Sequence, residues 1–189
     1  MTRLTRFSAL AMVLVLCFAL VACGSSSGNS TSSAAAKTAE DYANLIKESR
    51  AEDDNNYFEI AGANAGEEAK LIVNPNDMDD EMAAQNISMM FDTMGVNTAN
   101  LDTYAFSMSL MMTHAYHIGI YKPAEGKAAD VKAELEAYVK NVQGQFENYL
   151  ADQYEVAKSA VVKEMPTGEI IVVMVADAAS VAEKIEKGL

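Results

Sequence analysis

Apolar residues recur with different periods along the chain, and each period predicts a type of element. Residues 37–53 place apolar side chains at helical spacing, which predicts a short amphipathic helix. Residues 77–95 predict a second helix that begins at Asp77 as the N-cap and ends at Gly95 as the C-cap. Its apolar face consists of Ala83, Ile87, Met90, Phe91 and Met94.

Later segments alternate between strand and helix patterns. Strands are predicted at 55–62, 69–75, 101–112, 114–123, 157–165 and 169–177, and further helices at 125–150 and 178–189. The last two strands form the clearest hairpin, around the turn residues 166–168. Hairpins separated by helices favour an α+β fold with two layers, in which a mostly antiparallel sheet carries helices on one face.

The amino-terminal segment has a different pattern. Arg3 and Arg6 precede an apolar run from Leu10 to Ala22, which is typical of a secretory signal peptide and too short to span a bilayer. Residues 20–23, Leu-Val-Ala-Cys, resemble the bacterial lipobox, and this resemblance implies a lipoprotein signal peptide over 1–22 with a diacylglycerol on the sulfur of Cys23. An ordinary signal peptide that happens to contain a cysteine is the alternative.

The division of the chain follows from this interpretation. Residues 23–36 are rich in Ser, Gly and Ala and predict a flexible tether, which leaves 37–189 as a single α+β domain. Two acyl chains would hold the protein stably at the membrane. We therefore expect a lipid-anchored protein on the extracytoplasmic face of the cell membrane.

Charge and cysteine content exclude several functions. The chain carries 27 acidic and 14 basic residues, a formal net charge of −13, and removal of Arg3 and Arg6 would make it two units more negative. Such a surface repels nucleic acid and anionic headgroups. Cys17 would leave with the signal and Cys23 would be alkylated, so the exported domain has no thiol for a disulfide, a nucleophile or a zinc site.

Methionine and histidine are the candidate ligand residues. Soft thioethers suit Cu(I), but most methionines fall on apolar faces, where they fill core space, and only Met82, Met89, Met111 and Met112 are left unassigned. His114 and His117 lie in a predicted strand, where their odd spacing points them to opposite faces, so a shared metal is not expected. His117 could instead lie beside Gly119 and Tyr121 in a polar patch on the exposed face of the sheet, or be an ordinary surface residue.

The remaining motifs have structural explanations. The acidic residues of 76–81 lack the glycine and the distant glutamate of an EF-hand loop, and acids favour the first turn of a helix. No nucleotide-binding loop or Gly-x-Ser-x-Gly motif is present, and no particular pair of carboxylates stands out. The sequence therefore predicts a protein that is not an enzyme, with no catalytic residue, cofactor or resident metal.

The segments 101–139, 146–154 and 161–185 resemble the small lipoproteins of clostridia and related bacteria that are grouped as a domain of unknown function. In those proteins, a strand with alternating apolar residues leads through a turn to a long helix, and the turn corresponds here to Lys122 to Lys127. A tyrosine before a polar break comes next, here Tyr149, and a hairpin and a helix close the domain. The resemblance covers roughly 97–189 and the lipobox. It implies no established activity and no functional residue except Cys23.

Two classes of function remain open. One is a non-catalytic binding or interaction module of the cell envelope, whose exposed sheet face or acidic helices bind another protein or a wall component. The other is a carrier of a solute or of a metal such as Cu(I), with its site at the methionines of 82–112 or at the His117 patch. Neither class requires a cofactor.

Overall fold

The computed structural model describes residues 36–189. The predicted signal peptide, Cys23 and all but the last residue of the predicted tether lie outside the described residues. The helices are α1 (Ala39–Ser49), α2 (Asp80–Met94), α3 (Ala128–Phe146), α4 (Ala151–Lys158) and α5 (Ala178–Gly188). The strands are β1 (Ile60–Ala63), β2 (Lys70–Val73), β3 (Leu101–Met108), β4 (His117–Pro123), β5 (Val161–Glu164) and β6 (Ile170–Met174). Short 3₁₀ helices span Glu52–Asn56 and Thr98–Asn100.

The six strands form one sheet in the order β2-β1-β3-β4-β6-β5, and every neighbouring pair is antiparallel. The three hairpins β1–β2, β3–β4 and β5–β6 are joined edge to edge through the pairs β1–β3 and β4–β6. This arrangement confirms the predicted α+β fold class and its antiparallel sheet.

Helices cover both faces of this sheet, so the prediction that they pack on one face is wrong. One face carries Phe106, Tyr121 and Val172 against α2, α3 and α4, and we call it the first face. The second face carries Ile118, Ile120 and Ile171 against α1 and α5. The central strands carry apolar residues on both faces, which is typical of strands that are buried on both sides.

Local signals explain how α1 begins and how α2 begins and ends. In α1, the Thr38 side chain and Asp41 form a capping box, with each side chain bonded to the backbone N–H of the other residue. In α2, the N-cap is Asp79 and not the predicted Asp77, which has a positive φ of 51° in the preceding turn. Gly95 ends α2 in the left-handed conformation, as predicted.

The predicted helix over 125–150 is two helices. The first, α3, ends at Phe146, and α4 follows from Ala151 after a short break. Tyr149 lies in this break and is 65% exposed. No helix within residues 36–189 is both long enough and apolar enough to cross a membrane.

Candidate functional site

A cavity of about 440 Å³ opens at the end of the sheet where β4 begins and β6 ends. We call it the Arg50 pocket, because Arg50 is one of its lining residues. Residues from five parts of the fold line it: the end of α1 and the following turn (Ser49–Ala51, Asp54), the loop before β4 and its start (His114–Tyr116, Ile118), α4 (Gln153, Val156), the end of β6 (Val175–Asp177) and α5 (Ser180, Val181, Lys184). Its volume lies within the range of about 300–1,000 Å³ that is usual for small-molecule sites.

Arg50 is the C-cap residue of α1 and is only 5% exposed. Its Nε donates to Asn55 Oδ1 at 2.7 Å, and its Nη2 donates to the carbonyl of Phe58 at 2.9 Å. Its Nη1 donates to Ser107 Oγ at 2.9 Å and to the Tyr116 hydroxyl at 3.3 Å. The guanidinium is therefore held in place by four hydrogen bonds, and all four acceptors are uncharged groups.

The positive charge of Arg50 forms no ion pair with a carboxylate. Among the ion pairs formed within residues 36–189, none joins an acidic oxygen to Arg50 within 4.0 Å. The dipole of α1 favours a cation at its C-terminal end, but this contributes at most about 2 kcal/mol. Burial of an ion costs several kcal/mol, and buried charges are normally paired. The pocket therefore has an unneutralised cation in its wall.

Tyr116 cannot supply the missing negative charge. Burial raises the pKa of its phenol to about 12, and the nearby Arg50 offsets only part of that effect. The Tyr116 hydroxyl is therefore neutral at physiological pH and accepts a hydrogen bond from Arg50 as a neutral group. Arginine itself stays protonated at any such pH.

Aromatic contacts and one hydrogen bond to a glutamine side chain hold the loop before β4 in place beside the pocket. The Phe58 and Tyr116 rings stack with centroids 4.0 Å apart, and the His114 ring packs 5.5 Å from Phe58. Gln153 Oε1 accepts the backbone N–H of Ala115 at 2.9 Å, which ties the loop to α4. Lys184 donates to the carbonyl of Ser49 at 3.2 Å and so joins α5 to the end of α1. The wall is thus built from rigid, mutually bonded parts.

His117 lies elsewhere, on the first face of the sheet. The structure does bring it together with Gly119 and Tyr121, but all three are buried under α2 and α3, so the prediction of an exposed polar patch is wrong. His117 Nε2 and the Tyr121 hydroxyl are 2.9 Å apart, and the hydroxyl also contacts Met94 Sδ at 3.4 Å. His117 Nδ1 has no hydrogen-bond partner in the described part of the chain. Burial lowers the pKa of His117 to about 3.

The four unassigned methionines separate into two pairs. Met82 and Met89 lie half exposed on α2. Met111 and Met112 lie on the loop between β3 and β4, where they line a second cavity of about 260 Å³ together with Met174 and His114. Both loop methionines are more than half exposed. Within residues 36–189, no group of three or more His, Cys, Asp or Glu side chains is arranged to hold a metal ion, and this includes the acidic segment 76–81.

The fold and the pocket define an α+β domain with an antiparallel sheet, helices on both faces and a buried cation in the wall of a cavity. The chain belongs to the family described as a domain of unknown function, DUF4358, whose model matches residues 74–176. This match confirms the resemblance to a domain of unknown function, but it begins earlier and ends earlier than the predicted 97–189. Comparison with curated proteins and with solved structures found no match.

The matched segment contains only part of the Arg50 pocket. The loop before β4 and the α4 residues lie inside 74–176, whereas Arg50, Asp54 and Lys184 lie outside it. Sequence analysis missed Arg50, although one signal was present. Arg50 is the only arginine after Arg6, at the end of an amphipathic helix, in a segment whose other cationic residues are all lysines. Arginine is the residue that binds carboxylates in a bidentate manner, so a single arginine of this kind is a candidate ligand-binding residue.

Proposed function

We propose that this protein is a lipid-anchored, extracytoplasmic binding protein that takes a small anionic ligand in the Arg50 pocket. The observation that supports it is that Arg50, a lining residue of the cavity, is buried and has only uncharged hydrogen-bond acceptors for its guanidinium. A bound carboxylate would supply the missing charge and accept a charge-assisted hydrogen bond. The role is binding without catalysis, either of a free solute or of an acidic group on an envelope protein or wall component.

The pocket is suited to binding because its geometry is fixed before a ligand arrives. Asn55, Ser107 and Phe58 hold the Arg50 side chain from three directions, so little rotamer freedom remains to be lost on binding. A cavity that combines an apolar wall with a few placed polar groups is the usual form of a small-molecule site.

The first prediction concerns Arg50. With the full-length chain in mild detergent, 4-methylpentanoate should bind the wild type and raise its melting temperature. Arg50→Met should weaken binding by about 10- to 100-fold, since a hydrogen bond to a charged group contributes about 1.5–3 kcal/mol. Isothermal titration calorimetry measures both constants.

Lys70→Met is the matched control, because Lys70 is an exposed cation that pairs with Glu40 at the surface. It should leave the affinity unchanged. Equal affinity of the wild type and Arg50→Met for 4-methylpentanoate would contradict the proposal. Stabilisation by Cu(I) that Met112→Leu removes, with no response to the carboxylate, would favour the metal carrier at the second cavity instead.

The second prediction concerns the anchor. Cys23→Ala should move the protein from washed membranes to the soluble fraction and abolish incorporation of labelled palmitate, because each buried methylene contributes about 0.8 kcal/mol to membrane binding. Cys17→Ala is the control, since Cys17 lies in the apolar run of the predicted signal and should leave lipidation intact. Retention of Cys23→Ala in washed membranes would contradict the lipid anchor.

A further inference from the structure

The Arg50 pocket is lined by equal numbers of cationic and anionic residues. Arg50 and Lys184 are its cationic lining residues, and Asp54 and Asp177 are its anionic ones. This balance is unusual in a chain with a net charge of −13. A pocket for a multiply charged anion would instead collect cations and exclude acids, because like charges near the ligand oppose binding.

Asp54 lies close to Arg50 for a structural reason. The 3₁₀ helix Glu52–Asn56 begins two residues after Arg50, and the bond from Arg50 Nε to Asn55 Oδ1 folds this turn back onto the guanidinium. Asp54 therefore lies in the wall beside Arg50 but makes no ion pair within 4.0 Å of it. The same Asp54 charge acts on the Tyr116 phenol, which is bonded to Arg50.

We propose that the Arg50 pocket binds an apolar α-amino acid as a zwitterion, with its carboxylate at Arg50 and its ammonium group at Asp54. This inference rests on the proposed function and specifies the ligand class. An α-amino acid carries its ammonium and carboxylate groups on the same carbon, which suits a pocket lined by a cationic and an anionic residue that form no ion pair with each other. Both wall charges are then paired, and the pocket gains no net charge.

The rest of the wall suits an apolar side chain. Four aliphatic residues line the pocket: Ile118 of β4, Val156 of α4, Val175 directly after β6 and Val181 of α5. Burial of a branched aliphatic side chain against such a wall is favourable in proportion to the apolar area removed from water. A phosphate dianion would lack this contact and would bring excess negative charge next to Asp54 and Asp177.

The test is a calorimetric titration of the full-length chain in mild detergent with four probes. L-Leucine carries both charges, 4-methylpentanoate lacks the ammonium group, 3-methylbutylamine lacks the carboxylate, and inorganic phosphate lacks the apolar body. We expect L-leucine to bind at least 10-fold more tightly than each of the other three. Asp54→Asn should reduce the affinity for L-leucine to that for 4-methylpentanoate and should not weaken the binding of 4-methylpentanoate.

Asp53→Asn is the control, because Asp53 is the exposed neighbour of Asp54 in the same turn and should leave all four affinities unchanged. If 4-methylpentanoate binds as tightly as L-leucine, or if Asp54→Asn has no effect, the zwitterion inference is overturned while the carboxylate-binding function stands. If phosphate binds most tightly, the ligand class is wrong. If no probe binds, or if Arg50→Met does not weaken binding, the proposed function itself is overturned.

Discussion

Acidification from pH 7.5 to about pH 5 should lower the free energy of unfolding by about 2 kcal/mol through His117 alone. This histidine is completely buried, and burial lowers its pKa from the ordinary value of 6.5 to about 3. Below pH 6.5 the unfolded chain gains a proton at this residue that the folded chain does not take up. The unfolded state is thereby favoured by about 1.4 kcal/mol for each pH unit until the folded pKa is reached.

The sign of this effect follows from which state binds the proton. Since the folded pKa is depressed, the full stability is present above pH 6.5 and is lost as the pH falls toward 3. The carboxylates with lowered pKa values, among them Glu169, have ordinary pKa values of 4.5 or below and act mainly below pH 5. The interval from pH 6.5 to 5 therefore isolates the histidine.

Urea denaturation at pH 7.5, 6.5, 5.5 and 5.0 measures this prediction. His117→Gln removes the titrating group while keeping a polar end near the Tyr121 hydroxyl, so the variant should lose the dependence on pH in this interval. His114→Gln is the matched control, because it removes the chain's other histidine, which is partly exposed in the loop before β4. An equal pH dependence in the wild type and in His117→Gln would show that His117 is not responsible.

Gly119→Ala should destabilise the protein by about 1–3 kcal/mol, the usual cost of an extra methyl group in a packed core. Gly119 lies opposite Phe106 on the neighbouring strand and between His117 and Tyr121 on its own. A Cβ at this position would be 2.5 Å from Tyr121 Cε2 and 2.8 Å from both the Tyr121 hydroxyl and His117 Nε2. The two rings cannot easily withdraw, because Phe106 and Tyr138 pack against them.

Gly144→Ala is the matched control and should have the opposite sign. Gly144 lies inside α3, where an added Cβ would meet no atom within 4 Å. Alanine should therefore stabilise the helix by about 0.8–1 kcal/mol. Thermal and urea unfolding of the two variants give both values. A stable Gly119→Ala would mean that the His117–Tyr121 pair can move apart at little cost.

The sequence predicted most of the elements because their signals are local. The apolar spacing of α1, α2 and α5, the glycine that ends α2 and the turn between β5 and β6 all arise within a few residues of one another. The break between α3 and α4 has no such local signal, and the sequence predicted one helix there. The residues after Phe146 continue an approximate helical pattern, and the amphipathic signal of α4 is weak over its eight residues.

The candidate site could not be predicted in the same way. Arg50 and Asp54 are near each other in the chain, but Tyr116 and Lys184 reach the pocket from the loop before β4 and from α5, and Ser107 of β3 accepts a hydrogen bond from Arg50. No local pattern reports which distant side chains meet. His117 shows the same limit, since its neighbours Gly119 and Tyr121 follow from strand alternation but its burial depends on α2 and α3.

The amino-acid sequence by itself determined the fold class, the antiparallel hairpins and the prediction of a lipid anchor at Cys23, because periodicity, turn residues and the amino-terminal pattern are properties of contiguous residues. Only the tertiary structure decided that helices cover both faces of the sheet, that His117 is buried in the core and that Arg50 lines a cavity without forming an ion pair. Burial and charge pairing are set by residues that are distant in the chain and become neighbours only when the sheet and its two helical layers pack together.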